Sequence, residues 1–412
     1  MKRRTLLATG CALAIPGCSL RDDSERPPSV DDPEPSAWST YRGNVAQSGR
    51  AATALEPPYE IERLRQFGTG LSVELPSMPA PTAGLAVTQD TVYATAADEY
   101  FAPIAISRTG HDLHWRFDDV IEETREQAFF RTPVPVAIGD DVFVQTHWDL
   151  ARIDGPDGTL IWSEDGTTTT NGPMIGDRTR LYYPDTVGSV ETRSGEYLGS
   201  HRFRDRGVFE GVSVGYGNAV AVARTNGGHD GVIAGYDTDD WSVQWQDDTV
   251  QPCFEAPAIH DGTAIALTDA SREGIHGGGG KTIAYDLATG AVRWRIETPD
   301  ARVGVALDGE GTAYVPHERS GVLALDTEAG TRKWHASRSL SSLVGDPDDC
   351  YPPIVADDAV VISGRGGLAI LDRTDGAVRH HLDRPLFGMP AVAYGDVYAI
   401  TDQAILAIRG SS

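Results

Sequence analysis

Four residues in two polar insertions carry side chains suited to holding a cation. His229 and Asp230 lie in residues 224–231, and Glu273 and His276 in residues 269–280. Imidazole nitrogens and carboxylate oxygens are ligands of zinc and calcium. The same residues also read as two flexible polar surface loops. The second insertion ends in the glycine run 277–280, too supple to preorganise a site. No Lys-Ser/Thr follows that run, so it is not a phosphate loop. Cys253 and Cys350 each stand a few residues before a proline, Pro257 and Pro353, that opens a strand. Both therefore fall on one face of the fold. An oxidising compartment permits a disulfide between them if their Cα atoms come within about 7 Å; buried thiols are the other outcome. The adjacent His380 and His381 fit a packed surface pair better than a ligand set. Spacing assembles no Ser-His-Asp or Cys-His arrangement. The expectation is no catalytic residue, no metal site and no cofactor-binding residue.

The N-terminus reads as an address. A basic start with Arg3-Arg4, a short apolar run and small residues before Cys18 resemble a twin-arginine lipoprotein signal over residues 1–18. Cys18 is then the lipidation site, and the protein would be exported and lipid-anchored on the outer face of the cell membrane. Residues 19–37 are polar, charged and Pro-rich, the composition of a disordered tether.

The net charge is -25, and only Lys2, Lys281 and Lys333 are lysines among 35 basic residues. Phosphate affinity comes from Lys and Arg, so this charge argues against nucleic acid as a partner. Asp-rich, Lys-poor composition resembles that of extreme halophiles, where salt screens the self-repulsion.

The elements that position these residues come from an internal repeat. Asp286, Gly290 and Trp294 are spaced four and four, as are Asp326, Gly330 and Trp334, and Asp154, Gly158 and Trp162. Weaker copies are Asp372-Gly376-His380, Asp237-Trp241-Trp245, Ser107-His111-Trp115 and Glu191-Gly195-Gly199. The copies recur about every 44 residues, each preceded by short Val/Ala/Ile-rich runs with polar turns between them. Four strands per period is the signature of a propeller blade. In the grid, Asp caps a turn, Gly supplies a positive φ, and Trp on the fourth strand fills the wedge between splaying blades.

An eighth copy begins at Met389 and stops after Arg409, which falls on the Asp position. That blade lacks its fourth strand. Residues 59–68, with Ile61, Leu64 and Phe67, are the free segment that can complete it and close the ring. The predicted fold is all-β: an eight-bladed propeller over residues 38–412, with four-stranded antiparallel blades.

The Leu325-Asp326 to Trp334 core and the opening Trp38–Gly49 resemble the pyrroloquinoline-quinone (PQQ) type of propeller repeat. That resemblance implies one of two branches. Quinoprotein alcohol dehydrogenases bind PQQ and calcium at the propeller axis and typically carry adjacent cysteines. This chain has no Cys-Cys pair, no Cys-x-x-Cys-His and no alternating-Asp calcium loop. The other branch is non-enzymatic and includes outer-membrane assembly lipoproteins that act as scaffolds. The resemblance favours a monomeric binding platform for protein or ligand partners at the cell envelope, with the PQQ/calcium-dependent dehydrogenase as the alternative.

Overall fold

In a computed structural model, the structure describes residues 37–39, 41–44, 46–67, 84–95, 103–117, 134–145, 149–165, 173–183, 188–200, 208–224, 231–250, 255–268, 280–299, 301 and 303–410. Cys18, His229, Asp230, Cys253, Glu273 and His276 lie outside the described residues.

The strands form eight separate four-stranded sheets, all antiparallel between chain neighbours. In seven blades the four strands follow one another in sequence. Their inner strands are Leu85–Val87, Val136–Ile138, Ile175–Gly176, Val208–Gly215, Ala258–His260, Ala306–Leu307 and Cys350–Val355, for the first to seventh blades. The eighth blade is built from both ends of the chain. Its inner strand Ala391–Ala393, then Asp396–Ile400 and Ala404–Arg409, are joined by Glu60–Gln66 as the outer strand. Glu60 pairs with Arg409 and Gln66 with Ala404. The ring is thus closed as the unfinished eighth repeat requires.

Burial follows from the layering. Each sheet packs between two neighbours, so strands near the axis have no solvent face and read as continuous apolar runs. Ala359–Gly364 is buried at every position, and Gly367–Asp372 at all but its last. Outer strands keep one wet side and alternate: in Val292–Glu297 only Trp294 is buried. The one α-helix among the described residues, Ser341–Val344, lies between the sixth and seventh blades.

Antiparallel alternation sorts the connections. Tight turns between the first and second strands, and between the third and fourth, lie on one face, the turn face. Connections between the second and third strands, and from one blade to the next, leave from the opposite face. The second strands Asn218–Arg224 and Thr263–Thr268 end there, and Gly231–Asp237 and Lys281–Asp286 start there. The two sequence insertions therefore attach to one face, on neighbouring blades.

Candidate functional site

Where the repeat carries its aspartate, that residue caps the turn; in the first blade Ser107 Oγ takes its place, accepting from the Gly110 amide at 2.8 Å. Asp286 Oδ1 accepts from the Thr289 amide at 3.0 Å. Asp326 Oδ1 accepts from the Glu328 and Ala329 amides at 3.0 and 2.8 Å. These bonds favour the ionised form and hold both carboxyls below the usual range; for Asp286 the first cause is the Arg293 guanidinium, for Asp326 the Ala329 amide. The Thr374 hydroxyl, then the Arg379 guanidinium and the Thr374 amide, lower Asp372 to about 2. Many of the chain's carboxylates are therefore turn caps.

The turn glycine has a second role that spacing did not reveal. Gly290 has φ 69°, and a Cβ on it would fall 2.5 Å from the ring of Trp245 in the preceding blade. The tryptophan of one blade lies flat on the glycine of the next. Trp115 sits likewise on Gly158, Trp162 on Gly195, Trp294 on Gly330 and Trp334 on Gly376. The indole N–H then donates to the carbonyl just after the acidic residue. Trp245 reaches the Leu287 oxygen at 2.9 Å, Trp294 the Thr327 oxygen at 2.7 Å, Trp115 the Gly155 oxygen at 2.5 Å and Trp162 the Thr192 oxygen at 3.3 Å. The expected wedge filling is thus a specific docking, one blade onto the next.

The weak copies mark the seams that depart from this rule. Between the third and fourth blades the two residue types have changed places. Gly199 stands where tryptophan is expected, and Trp241 stands at the glycine position with φ 58°. Trp241 is 3% exposed, its ring edge-on to Tyr182 at 6.2 Å. A Cβ on Gly199 would lie 3.2 Å from the Trp241 ring. The ring still packs on a glycine, with the direction reversed. The carbonyl after Asp237, that of Thr238, instead accepts from the Arg180 guanidinium.

The two seams flanking the eighth blade have no tryptophan and are polar. Arg409, on the Asp position, donates to the Arg108 carbonyl at 2.7 Å, the acceptor that an indole would reach elsewhere. It also pairs with Glu62 at 2.6 Å and with Asp396. Arg108 lies 3.5 Å from Asp396, and His111, at the glycine position with φ 62°, is 2.8 Å from Glu62. On the other side Arg379 joins Asp372 at 2.7 Å and Asp358, and reaches the Leu55 carbonyl at 3.4 Å. His380, at the tryptophan position, packs on Tyr59 at 5.3 Å, and burial lowers its pKa. His381 Nε2 is 2.8 Å from the Leu343 carbonyl. The histidine pair thus serves packing.

The axis holds the other concentration of buried polar groups. An inner strand has a free edge facing the axis, and its backbone groups need partners. Residues 38–51 supply them. Trp38 exchanges two 2.9 Å bonds with Val87 of the first blade. The Ser39 carbonyl accepts from Ala137 of the second at 2.7 Å, that of Ala46 from Ile259 of the fifth at 2.9 Å, and that of Ser48 from Leu307 of the sixth at 2.7 Å. The Gly49 carbonyl accepts from Val355 of the seventh at 2.7 Å, and Gln47 Nε2 donates to Val212 of the fourth. Only the axis reaches six inner strands around a ring. The segment enters beside the first-blade turn, dips to a short 3-10 turn at Tyr41–Gly43, and returns to the turn face.

At the tip, Arg42 is 0% exposed. Its Nη1 donates to the Ala256 carbonyl at 2.9 Å, and its Nη2 to that of Val305, so one guanidinium joins the fifth and sixth blades. Tyr41 donates to Glu255 Oε1 at 3.1 Å. Burial, then the Glu255 charge, raises the Tyr41 pKa well above the usual phenol value; burial lowers that of Arg42. A quinone at the axis would need the volume that Trp38, Tyr41 and Arg42 fill, so the residues present do not fit that group. Among the described residues, no group of three or more His, Cys, Asp or Glu is placed to hold a metal ion. Cys350 is buried at the start of its strand.

Comparisons with known proteins agree on the architecture. A family model described as outer membrane protein assembly factor BamB matches residues 229–411. BamB from Moraxella catarrhalis is similar in structure, with a TM-score of 0.57 at 13% identity, covering 85% of this chain and 99% of that one. The computationally designed Ika8 protein has a TM-score of 0.59 at 11% identity, covering 84% and 100%. A europium-containing methanol dehydrogenase has a TM-score of 0.58 at 12% identity, covering 89% of each chain. At these identities the likeness is one of fold. No curated protein matches the chain as a sequence.

Proposed function

We propose that this protein is a non-enzymatic binding platform, exported and held at the outer face of the cell membrane by a lipid on Cys18. The occupied axis carries this reading. The place where a propeller of the dehydrogenase branch would hold its quinone is filled by the chain's own Trp38, Tyr41 and Arg42. The charged clusters that could suggest chemistry, around Arg409 and Arg379, brace their own blades and serve as ties: Arg409 joins the eighth blade to the first through the Arg108 carbonyl, and Arg379 joins the seventh blade to the N-terminal segment at the Leu55 carbonyl. What remains for recognition is a stiff ring bearing connections on one face, the usual arrangement for loop-based binding. The family match to an assembly factor supports a protein partner in the envelope. Acidic charge argues against nucleic acid and other anionic partners.

The test is capture of partners from native membranes on the intact protein, with Cys18→Ser as the comparison for anchoring. A specific partner, and release of the Cys18→Ser protein from the membrane fraction, are expected. Cofactor absorbance after incubation with PQQ and calcium, together with dye reduction by alcohols, would overturn the platform reading.

A further inference from the structure

We infer that the propeller axis is a peptide-binding site whose resident ligand is the chain's own segment 38–51, bound strongly enough to stay without its covalent link. This goes beyond the platform reading, which needs only that the axis be filled.

The ligand class follows from the groups that meet it. Inner-strand edges offer backbone N–H and C=O, which an extended peptide satisfies and a small aromatic molecule does not. Five inner-strand amides, those of Val87, Ala137, Ile259, Leu307 and Val355, donate to carbonyls of the segment at 2.7–2.9 Å. Each comes from a different blade, so the segment binds a composite surface that exists only when the ring is assembled. Its side chains add specificity at the tip. The Arg42 fork spans the Ala256 and Val305 carbonyls, and the Gln47 amide reaches Val212. Arg42 and Gln47 also take positive φ, 56° and 46°, conformations that L side chains avoid unless contacts hold them. The hairpin is therefore shaped by its site.

The stretch leading out of the axis allows the link to be cut after folding. Glu56, Pro57 and Pro58 are exposed, ahead of the outer strand that starts at Glu60. A protease recognition sequence inserted between Glu56 and Pro57 of the full chain separates the hairpin from the ring once it is assembled. We expect the cut fragment to co-elute with the ring in gel filtration. The same fragment carrying Arg42→Ala should dissociate about ten- to a hundred-fold faster, because two buried carbonyls lose charged donors. Arg42→Lys, which keeps the charge without the fork, should fall between them. Amide exchange in the unaltered chain gives a reading that does not depend on the insertion. The five named amides should be protected like strand interiors although they lie on strand edges. Loss of the native fragment from a ring that keeps its strand content, retention of the Arg42→Ala fragment as long as the native one, or rapid exchange of those amides would each overturn the inference. None of these outcomes bears on whether a partner is captured from membranes.

Discussion

The exchanged pair at the third seam allows the docking rule to be tested by reversal. Trp241→Gly removes a ring that is 3% exposed and packs against Gly199 and Tyr182. Truncating a buried aromatic costs about 3–5 kcal/mol. Glycine at φ 58° returns about 1 kcal/mol of backbone strain, leaving a net loss of about 2–4 kcal/mol. Gly199→Trp alone drives a second ring into Trp241, whose Cδ1 is already 3.2 Å from where a Cβ would stand. It also places a bulky residue at φ 130°; overpacking and strain together cost about 2–4 kcal/mol. The double variant rebuilds the arrangement of the other seams. The ring then stands at position 199 over a glycine at position 241, with its indole N–H facing the Thr238 carbonyl. We expect it to be at least about 2 kcal/mol more stable than the sum of the single losses predicts. Reversible denaturant unfolding of the four proteins at one salt concentration closes the cycle. Additivity within about 0.5 kcal/mol would refute the idea that ring and glycine act as a pair across the seam.

Other outcomes follow from the same contacts. Arg152 and Asp141 form a buried two-pronged pair at 2.7 and 2.9 Å, so Asp141→Ala should cost about 3–5 kcal/mol by leaving a buried charge unpaired. Replacing both residues by apolar ones should cost less, a comparison readable by the same unfolding measurement. Arg409→Ala should speed amide exchange in strand Glu60–Gln66 while leaving the fifth-to-sixth seam unchanged; uniform acceleration around the ring would contradict a local latch. Asp372 is held down to about 2 when folded, so its contribution is complete above the ordinary carboxylate value near 4 and is lost as pH falls through about 2. Thermal midpoints of native and Asp372→Asn proteins should therefore converge over that window and differ above it.

The repeat grid, read from sequence, anticipates the blades, their number, the capped turns and closure by a strand from the N-terminus. These are short-range features. Seven of the eight blades pair their four strands within one period, and a missing fourth strand is visible as a repeat that stops at Arg409. Even the weak copies kept their spacing, and each marks a seam that is built differently. What the spacing could not say is which residue meets which across a seam. A tryptophan and the glycine it covers belong to different repeats, so periodicity shows both without pairing them. Trp241 at a glycine position reads as decay of the repeat until the structure places it on Gly199. Arg409 reads as a lost aspartate until its guanidinium is seen at the carbonyl that an indole meets elsewhere.

The axis lies further from the sequence still. Residues 38–51 have no copy elsewhere in the chain, and most of the partners they meet on the inner strands are backbone groups, which every residue carries alike. Only ring closure brings six inner edges around one segment, and only then does a positive-φ arginine become the group that joins two blades. Sequence alone determined the strands and their order, because those are held by contacts within a period. Tertiary structure alone decided the docking partners and the occupant of the axis, because those contacts join residues with no fixed separation along the chain.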